Sequence, residues 1–135
     1  MNELFEKIIN GKSVGVYQLG WTMDKLKEEL RGNYIEESLN SHYTLIAENI
    51  KFWVSKKEGT VSQIMVFGRH DGKFLEKIGI GSNISDIVRN DVRYSKEGYV
   101  YVFLDYPGIC FELEDIDEWD EYTAPIESIS VFSAQ

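Results

Sequence analysis

The sequence predicts a single α+β domain of two tandem units, with the helices packed on one side of an antiparallel sheet. Each unit is expected to contain a strand, a helix and a three-stranded meander. Three observations predict this: a length of 135 residues, an internal similarity between residues 11–68 and 72–133, and alternating apolar residues late in each unit. A helix over residues 2–10 is expected to precede the two units, because its apolar residues recur at helical spacing.

The two units begin alike. Residues 11–20 and 72–81 align without a gap, and both segments start with Gly-Lys and end with Gly. In each unit a helix-capping residue, Thr22 or Asn83, lies two positions after that last glycine, and its side-chain oxygen can accept a backbone N–H. Apolar residues at helical spacing follow, namely Met23, Leu26 and Leu30 in the first unit and Ile84, Ile87, Val88 and Val92 in the second.

The later part of each unit has the period of two that is typical of a strand with one buried face. The alternating sets are Ile50, Phe52 and Val54 in the first unit and Ile109, Phe111 and Leu113 in the second. The last predicted strands contain Val61, Ile64, Val66 and Phe67, and Ile126, Ile129, Val131 and Phe132. Turn-forming residues precede the alternating strands, Glu48-Asn49 in the first unit and Tyr106-Pro107-Gly108 in the second.

The repeated segment resembles a known family. With the strands that follow them, Leu19–Leu26 and Ile80–Ile87 resemble the repeat of the β-lactamase inhibitor protein family and the related small domain of outer-membrane assembly lipoproteins. The resemblance implies two tandem helix-plus-sheet units whose combined sheet face grips a partner protein.

The composition indicates in which compartment the protein acts and what kind of partner it binds. The chain begins without the basic start and apolar run of a signal peptide, and Cys110 is its one cysteine, so we expect a cytoplasmic protein. A net charge of −9 disfavours nucleic acids and anionic membranes, which are polyanionic, and favours a basic protein partner. The alternative is that the surplus acidity serves only solubility.

The predicted partner-binding site lies mainly in one acidic segment. Seven of the ten residues from Glu112 to Glu121 are acidic, and two aromatic residues accompany them, a composition suited to an interface anchor. The candidate residues are Glu114, Asp115, Asp117, Glu118, Trp119, Asp120, Glu121 and Tyr122. Two alternatives stay open: a solvated loop whose Trp119 folds back onto the sheet edge, and calcium binding by Asp115, Asp117 and Asp120.

Trp53 is the remaining candidate. It alternates with Phe52 and Val54, so its side chain is expected on the opposite face of the strand. If the helices cover the Phe52 face, Trp53 is open to a partner. The alternative is that both faces are partly buried.

Catalytic and cofactor motifs are not evident in the sequence. Gly11-Lys12-Ser13 lacks the earlier glycine of a phosphate-binding loop. Cys110 is interpreted as a small apolar residue of a strand, and the spacing of His42 and His70 fits no zinc site. We therefore expect no enzyme, cofactor or metal site.

The leading functional hypothesis is a bacterial immunity or antitoxin type of inhibitor, which covers the active site of a basic, nuclease-like toxin. The similarity to immunity proteins is one of style, namely a small, acidic, cytoplasmic binder. The alternative hypothesis is a small-ligand sensor or regulatory module that binds in the groove between helices and sheet.

Overall fold

Strands are the main secondary structure of the protein. The computed structural model describes residues 6–133, which form twelve strands and two helices. In chain order they are β1 (Lys7–Ile9), β2 (Ser13–Val14), β3 (Tyr17–Gln18), α1 (Met23–Leu30), β4 (Ile35–Ser38), β5 (His42–Ala47), β6 (Ile50–Ser55), β7 (Val61–Phe67), β8 (Lys73–Phe74), α2 (Ile84–Arg89), β9 (Tyr94–Glu97), β10 (Val100–Phe103), β11 (Tyr106–Leu113) and β12 (Ile126–Phe132).

Eight of the strands form one antiparallel sheet in the order β4-β5-β6-β7-β12-β11-β10-β9. Each helix precedes four consecutive strands of this sheet. The two sets of four meet where β7 pairs with β12, in a register that places Ile64 opposite Val131 and Val66 opposite Ile129. The sheet is therefore continuous across the chain.

One face of this sheet forms the core. Its alternating side chains, among them Phe52, Ile64, Ile109, Phe111 and Ile129, are no more than 2% exposed. The buried helix residues belong to the same cluster, namely Leu26 and Leu30 of α1 and Ile84 and Ile87 of α2. Burial of these apolar surfaces is the main stabilising contribution to the fold.

The other four strands form a small mixed sheet in the order β3-β2-β1-β8. Strand β1 is antiparallel to β2 and parallel to β8, so Ile8 lies beside both Val14 and Phe74. These three side chains are at most 3% exposed and belong to the core. The Phe74 ring lies 5.0 Å from the Phe103 ring, centroid to centroid, which joins the small sheet to the large one.

Both helices begin at the residues that the sequence predicts. The Thr22 side chain accepts the Lys25 N–H, and the Asn83 side chain accepts the Asp86 N–H. At α2 the Asp86 carboxylate accepts the Asn83 N–H in return, which completes a capping box.

The predicted α+β fold class is wrong because the protein has far more strand than helix. The structure is 45% strand and 11% helix, so it is a mostly β protein rather than an α+β fold of tandem strand–helix–meander units. Each helix spans only two turns or so, whereas four strands follow it. The internal repeat stays a prediction.

The predicted helix over residues 2–10 is also wrong where the structure describes it. Lys7–Ile9 form β1, and residues 2–5 lie outside the described part. Backbone pairing on both sides, to β2 and β8, outweighs the helical spacing of the apolar residues. The spacing alone was ambiguous because so short an apolar pattern fits either structure.

Candidate functional site

The second face of the large sheet is only partly covered. By the strand register, the central side chains on this open face are Lys51, Trp53, Gln63, Met65, Phe67, Ser128, Ser130, Phe132, Cys110 and Glu112. Trp53, Met65 and Phe67 are half-buried, whereas their core-facing neighbours are buried. The open face therefore presents aromatic and sulfur-containing side chains among polar and charged ones.

Trp53 lies on this open face, opposite Phe52 and Val54, as the alternation predicts. The Lys51 Nζ lies 4.7 Å from the centre of the Trp53 ring. Such a cation–π contact at a partly exposed site contributes about 0.5–1 kcal/mol.

The predicted acidic segment forms the connection from β11 to β12, residues 114–125, which we call the acidic loop. Asp115, Asp117, Glu118 and Asp120 are exposed along it. Within residues 6–133 none of these four carboxylates forms an ion pair. The loop therefore presents negative charge that no basic side chain of the described protein neutralises at contact distance.

Hydrogen bonds hold the acidic loop against the rest of the protein. The Glu121 carboxylate accepts the hydroxyl of Tyr101 at 3.2 Å and that of Tyr94 at 3.5 Å. The Ser85 hydroxyl of α2 donates to the Tyr122 carbonyl at 3.1 Å. Within the loop, the Asp120 carboxylate accepts the Tyr122 N–H. The loop is thus tied to a helix and to two strands.

The two tyrosines stay neutral in this arrangement. Burial, and then the hydrogen bond with Tyr122, raise the pKa of Tyr94 to about 12. Burial, and then the negative charge of Glu121, raise the pKa of Tyr101. At neutral pH both phenols therefore keep the proton that they donate to Glu121.

Trp119 lies on the core side of the sheet, at its edge. Its side chain is 44% exposed, and the Lys96 Nζ of strand β9 lies 5.7 Å from its ring centre. Trp119 borders a shallow groove of about 320 Å³ with Tyr99, Tyr101 and Leu113. The Trp119 ring thus lies near edge strand β9, and close to half of its side chain is exposed to solvent.

The structure brings the acidic-loop candidates together but not Trp53. The loop contacts Tyr101 on the core-facing side, whereas Trp53 lies on the open face, with β7 and β12 between β6 and β11. The short basic turn at Lys56-Lys57 lies at the opposite end of the sheet, because β7 and β12 run antiparallel. Trp53 is therefore a separate candidate from the acidic loop.

Sequence reasoning missed the groups that position the loop. Tyr94 and Tyr101 lie in β9 and β10, and their link to Glu121 depends on strand β9 lying at the sheet edge. An alternation signal was available for Tyr101, which faces the core opposite Phe111. Nothing local identified Glu121 as their acceptor.

The reactive side chains lie elsewhere. Burial, and then the nearby Glu112 carboxylate, raise the pKa of the Cys110 thiol to about 11, so the group is a thiol rather than a nucleophilic thiolate at neutral pH. The Gly72 N–H donates to His70 Nδ1, and His70 Nε2 lies 3.0 Å from a Glu6 carboxylate oxygen. These contacts, with the Lys73 N–H donating to the Glu6 carbonyl, hold residue 6 against the segment before β8.

Two further findings concern the described residues as a whole. Residues 6–133 contain no group of three or more His, Cys, Asp or Glu side chains placed to hold a metal ion, so the calcium alternative gains no support. Neither helix in this range is long and apolar enough to cross a membrane.

Comparison with known proteins shows a similar fold. No protein-family model matches the sequence, and no curated protein matches it significantly. The structure is similar to that of a cysteine-rich secretory protein from Staphylococcus aureus, with a TM-score of 0.54 at 12% sequence identity. The match covers 93% of this chain and 46% of that structure, so the chain spans less than half of it. At this identity the likeness concerns the fold alone.

Proposed function

We propose that the protein binds a basic protein partner and inhibits it, as a bacterial immunity or antitoxin protein covers the active site of a nuclease-like toxin. One observation carries this proposal: an acidic loop that is both unneutralised and held in place. Asp115, Asp117 and Glu118 are exposed without an ion pair inside residues 6–133, while Glu121 anchors the loop through two tyrosines.

Like charges lie close together along the acidic loop. A dense run of carboxylates repels itself, and this repulsion destabilises the folded loop unless solvent or a cationic partner relieves it. A loop held in one conformation loses less conformational entropy on binding than a free one. The same charges attract a basic partner at long range and accelerate its association.

The open sheet face supports the proposal as a second contact surface. Trp53 and its half-buried neighbours offer the aromatic contacts that dominate binding energies at protein interfaces. In this proposal the protein acts in the cytoplasm, which the single cysteine supports.

The test is a paired affinity capture from the host lysate, followed by association kinetics. The wild-type protein is compared with a triple variant, D115N/D117N/E118Q, which removes three exposed charges but leaves the anchoring Asp120 and Glu121 intact. A control variant, E58Q/E76Q/D91N, removes the same charge from exposed sites elsewhere. We expect one basic protein to associate more slowly, and with a flatter salt dependence, with the loop variant only.

Equal association rates for the loop and control variants would refute the role of the loop. A captured protein whose activity is unchanged by saturating wild-type chain would refute inhibition while leaving binding intact.

A second candidate function, a small-ligand sensor, is favoured by one cavity. A groove of about 430 Å³ lies between the end of α1 and strand β6 and is bordered by Tyr17, Leu30, Ile50 and the Glu6–His70 pair. Its volume falls within the range of small-molecule sites. Thermal stabilisation by a metabolite, without any protein partner, would favour this candidate over inhibition.

A further inference from the structure

A larger groove lies on the open face, next to the acidic loop. It has a volume of about 530 Å³ and is bordered by strands β7, β11 and β12. Its principal lining residues are Met65, Phe67, Glu112, Glu114, Glu127 and Ser128. The groove combines a thioether and an aromatic ring with three carboxylates.

The carboxylates of this groove have no cationic partner inside the described protein. Among residues 6–133, Glu112, Glu114 and Glu127 form no ion pair, and no lining residue of the groove is basic. The negative charge of Glu112 reaches Cys110, whose thiol pKa it helps to raise. The groove is therefore a site of negative potential bounded by apolar side chains.

Ser128 adds a hydroxyl to the polar groups of the groove. Its side chain is only 7% exposed and lines the groove, yet its hydroxyl forms no hydrogen bond to any residue of the described chain. By contrast Ser130, the next residue on the same face of β12, accepts a hydrogen bond from Gln63 Nε2 at 3.2 Å. The Ser128 oxygen itself remains accessible from the groove, so a ligand N–H can reach it and replace solvent there.

We propose that this groove binds an arginine side chain, presented by an extended segment of the partner protein. The inference rests on the proposed function and names the chemistry that the partner must offer. A guanidinium group has five N–H donors in a planar fork, which suits several carboxylate oxygens and a hydroxyl acceptor at once. Its aliphatic stem packs on Met65, and its plane stacks on an aromatic ring such as Phe67.

Arginine fits this groove better than lysine does. A lysine ammonium is a compact, strongly hydrated charge with three donors, so it gains less from an aromatic wall and from dispersed acceptors. The volume of the groove exceeds that of one side chain and lies in the range of small-molecule sites. The residues that flank the arginine in the partner therefore have room at the rim.

The experiment is an NMR titration of the full ¹⁵N-labelled chain with N-acetyl-Gly-Arg-Gly-amide. The matched probe replaces arginine by citrulline, which has nearly the same shape but no charge. We expect saturable shifts of the amides of Met65, Phe67 and Ser128, and an affinity at least roughly tenfold weaker for the citrulline peptide, because charged hydrogen bonds are lost. The E112Q/E127Q variant should weaken arginine binding by a similar factor, whereas E58Q/E76Q should not.

Three results would overturn the proposal: no saturable shift, equal binding of the two peptides, or shifts centred on Asp115–Asp120 instead of the groove. The outcome is separable from that of the proposed function. If a captured partner is bound normally by E112Q/E127Q and the arginine peptide fails to bind, the groove proposal fails and the inhibitor stands. If the peptide binds in the groove and a captured partner keeps its activity when saturated with the wild-type chain, inhibition fails and the groove proposal stands.

Discussion

Phe52 and Trp53 are adjacent in β6 and have opposite environments. Phe52 is fully buried against the Tyr17 ring, with centroids 4.9 Å apart, while Trp53 is half-buried on the open face. We expect Phe52→Ala to lower the free energy of unfolding by about 3–5 kcal/mol, because it leaves a cavity in the core. Trp53→Ala should cost about 1 kcal/mol or less, mostly through the lost contact with Lys51.

Urea denaturation of the two variants measures this difference. If Trp53→Ala destabilised the protein as much as Phe52→Ala does, the open face would be a second core layer and not a surface for a partner.

Tyr94 makes stability depend on pH in the alkaline range. The pKa of a tyrosine in an unfolded chain is about 10, and the folded protein raises that of Tyr94 to about 12. Between these values the folded state holds the proton more tightly, so stability is complete below pH about 10 and is lost as the pH rises through about 12. Unfolding free energies from urea titrations between pH 9 and 12 should fall more steeply for the wild type than for Tyr94→Phe.

The comparison with Tyr94→Phe isolates one group. Cys110 and Tyr101, whose pKa values are also raised, are present in both proteins and affect both curves alike. Parallel curves would show that Tyr94 ionises as it does in the unfolded chain.

At the scale of elements, the acidic loop owes its order to a few hydrogen bonds. Glu121→Ala removes the acceptor of Tyr94 and Tyr101. We expect amide exchange in residues 115–123 to accelerate, since the loop can then open without breaking these hydrogen bonds. The global free energy of unfolding should fall by about 1–2 kcal/mol. Hydrogen exchange followed by mass spectrometry measures this. Asp117→Ala, at an exposed carboxylate without an ion pair among the described residues, is the control, and equal exchange in both variants would contradict the anchoring role.

The elements that the sequence predicts well are those with one buried face. Alternation located β6 and β11, matching apolar residues late in each unit located β7 and β12, and the capping residues located the start of both helices. Alternation and capping both reflect contacts within a few residues. Strand β4 gave no such signal, since all four of its side chains are exposed. The pairing of β1 with β8 joins residues distant in the chain, and no local pattern encodes it.

The candidate site also has parts that sequence patterns predict and parts that they do not. Composition identified the acidic loop, and alternation placed Trp53 on the open face. The groove beside Ser128 was not predictable, because it forms only where β7, β12 and β11 lie side by side. Glu112 and Glu127 come from different strands and approach each other through that pairing.

At the scale of the whole molecule, one pair of strands joins the two halves of the large sheet. Ile64 and Val66 of β7 lie beside Val131 and Ile129 of β12, and all four side chains are buried. Because the core continues across this pair of strands, the stability of each half depends on the other. We therefore expect both halves to unfold in a single cooperative transition.

Tryptophan fluorescence tests this coupling, because the tryptophans are divided between the halves. Trp21 and Trp53 report on the first half and Trp119 on the second, so W119F and W21F/W53F each isolate one reporter set. The urea midpoints of the two reporter sets, each corrected for its own substitutions, should coincide. Ile129→Ala, in the second half, should lower both midpoints together, since it removes about 2–5 kcal/mol of unfolding free energy from the whole cooperative unit. If the midpoint fell only for the Trp119 reporter, the β7–β12 pairing would not couple the two halves. A partner bound across the open face would then contact two units that unfold independently.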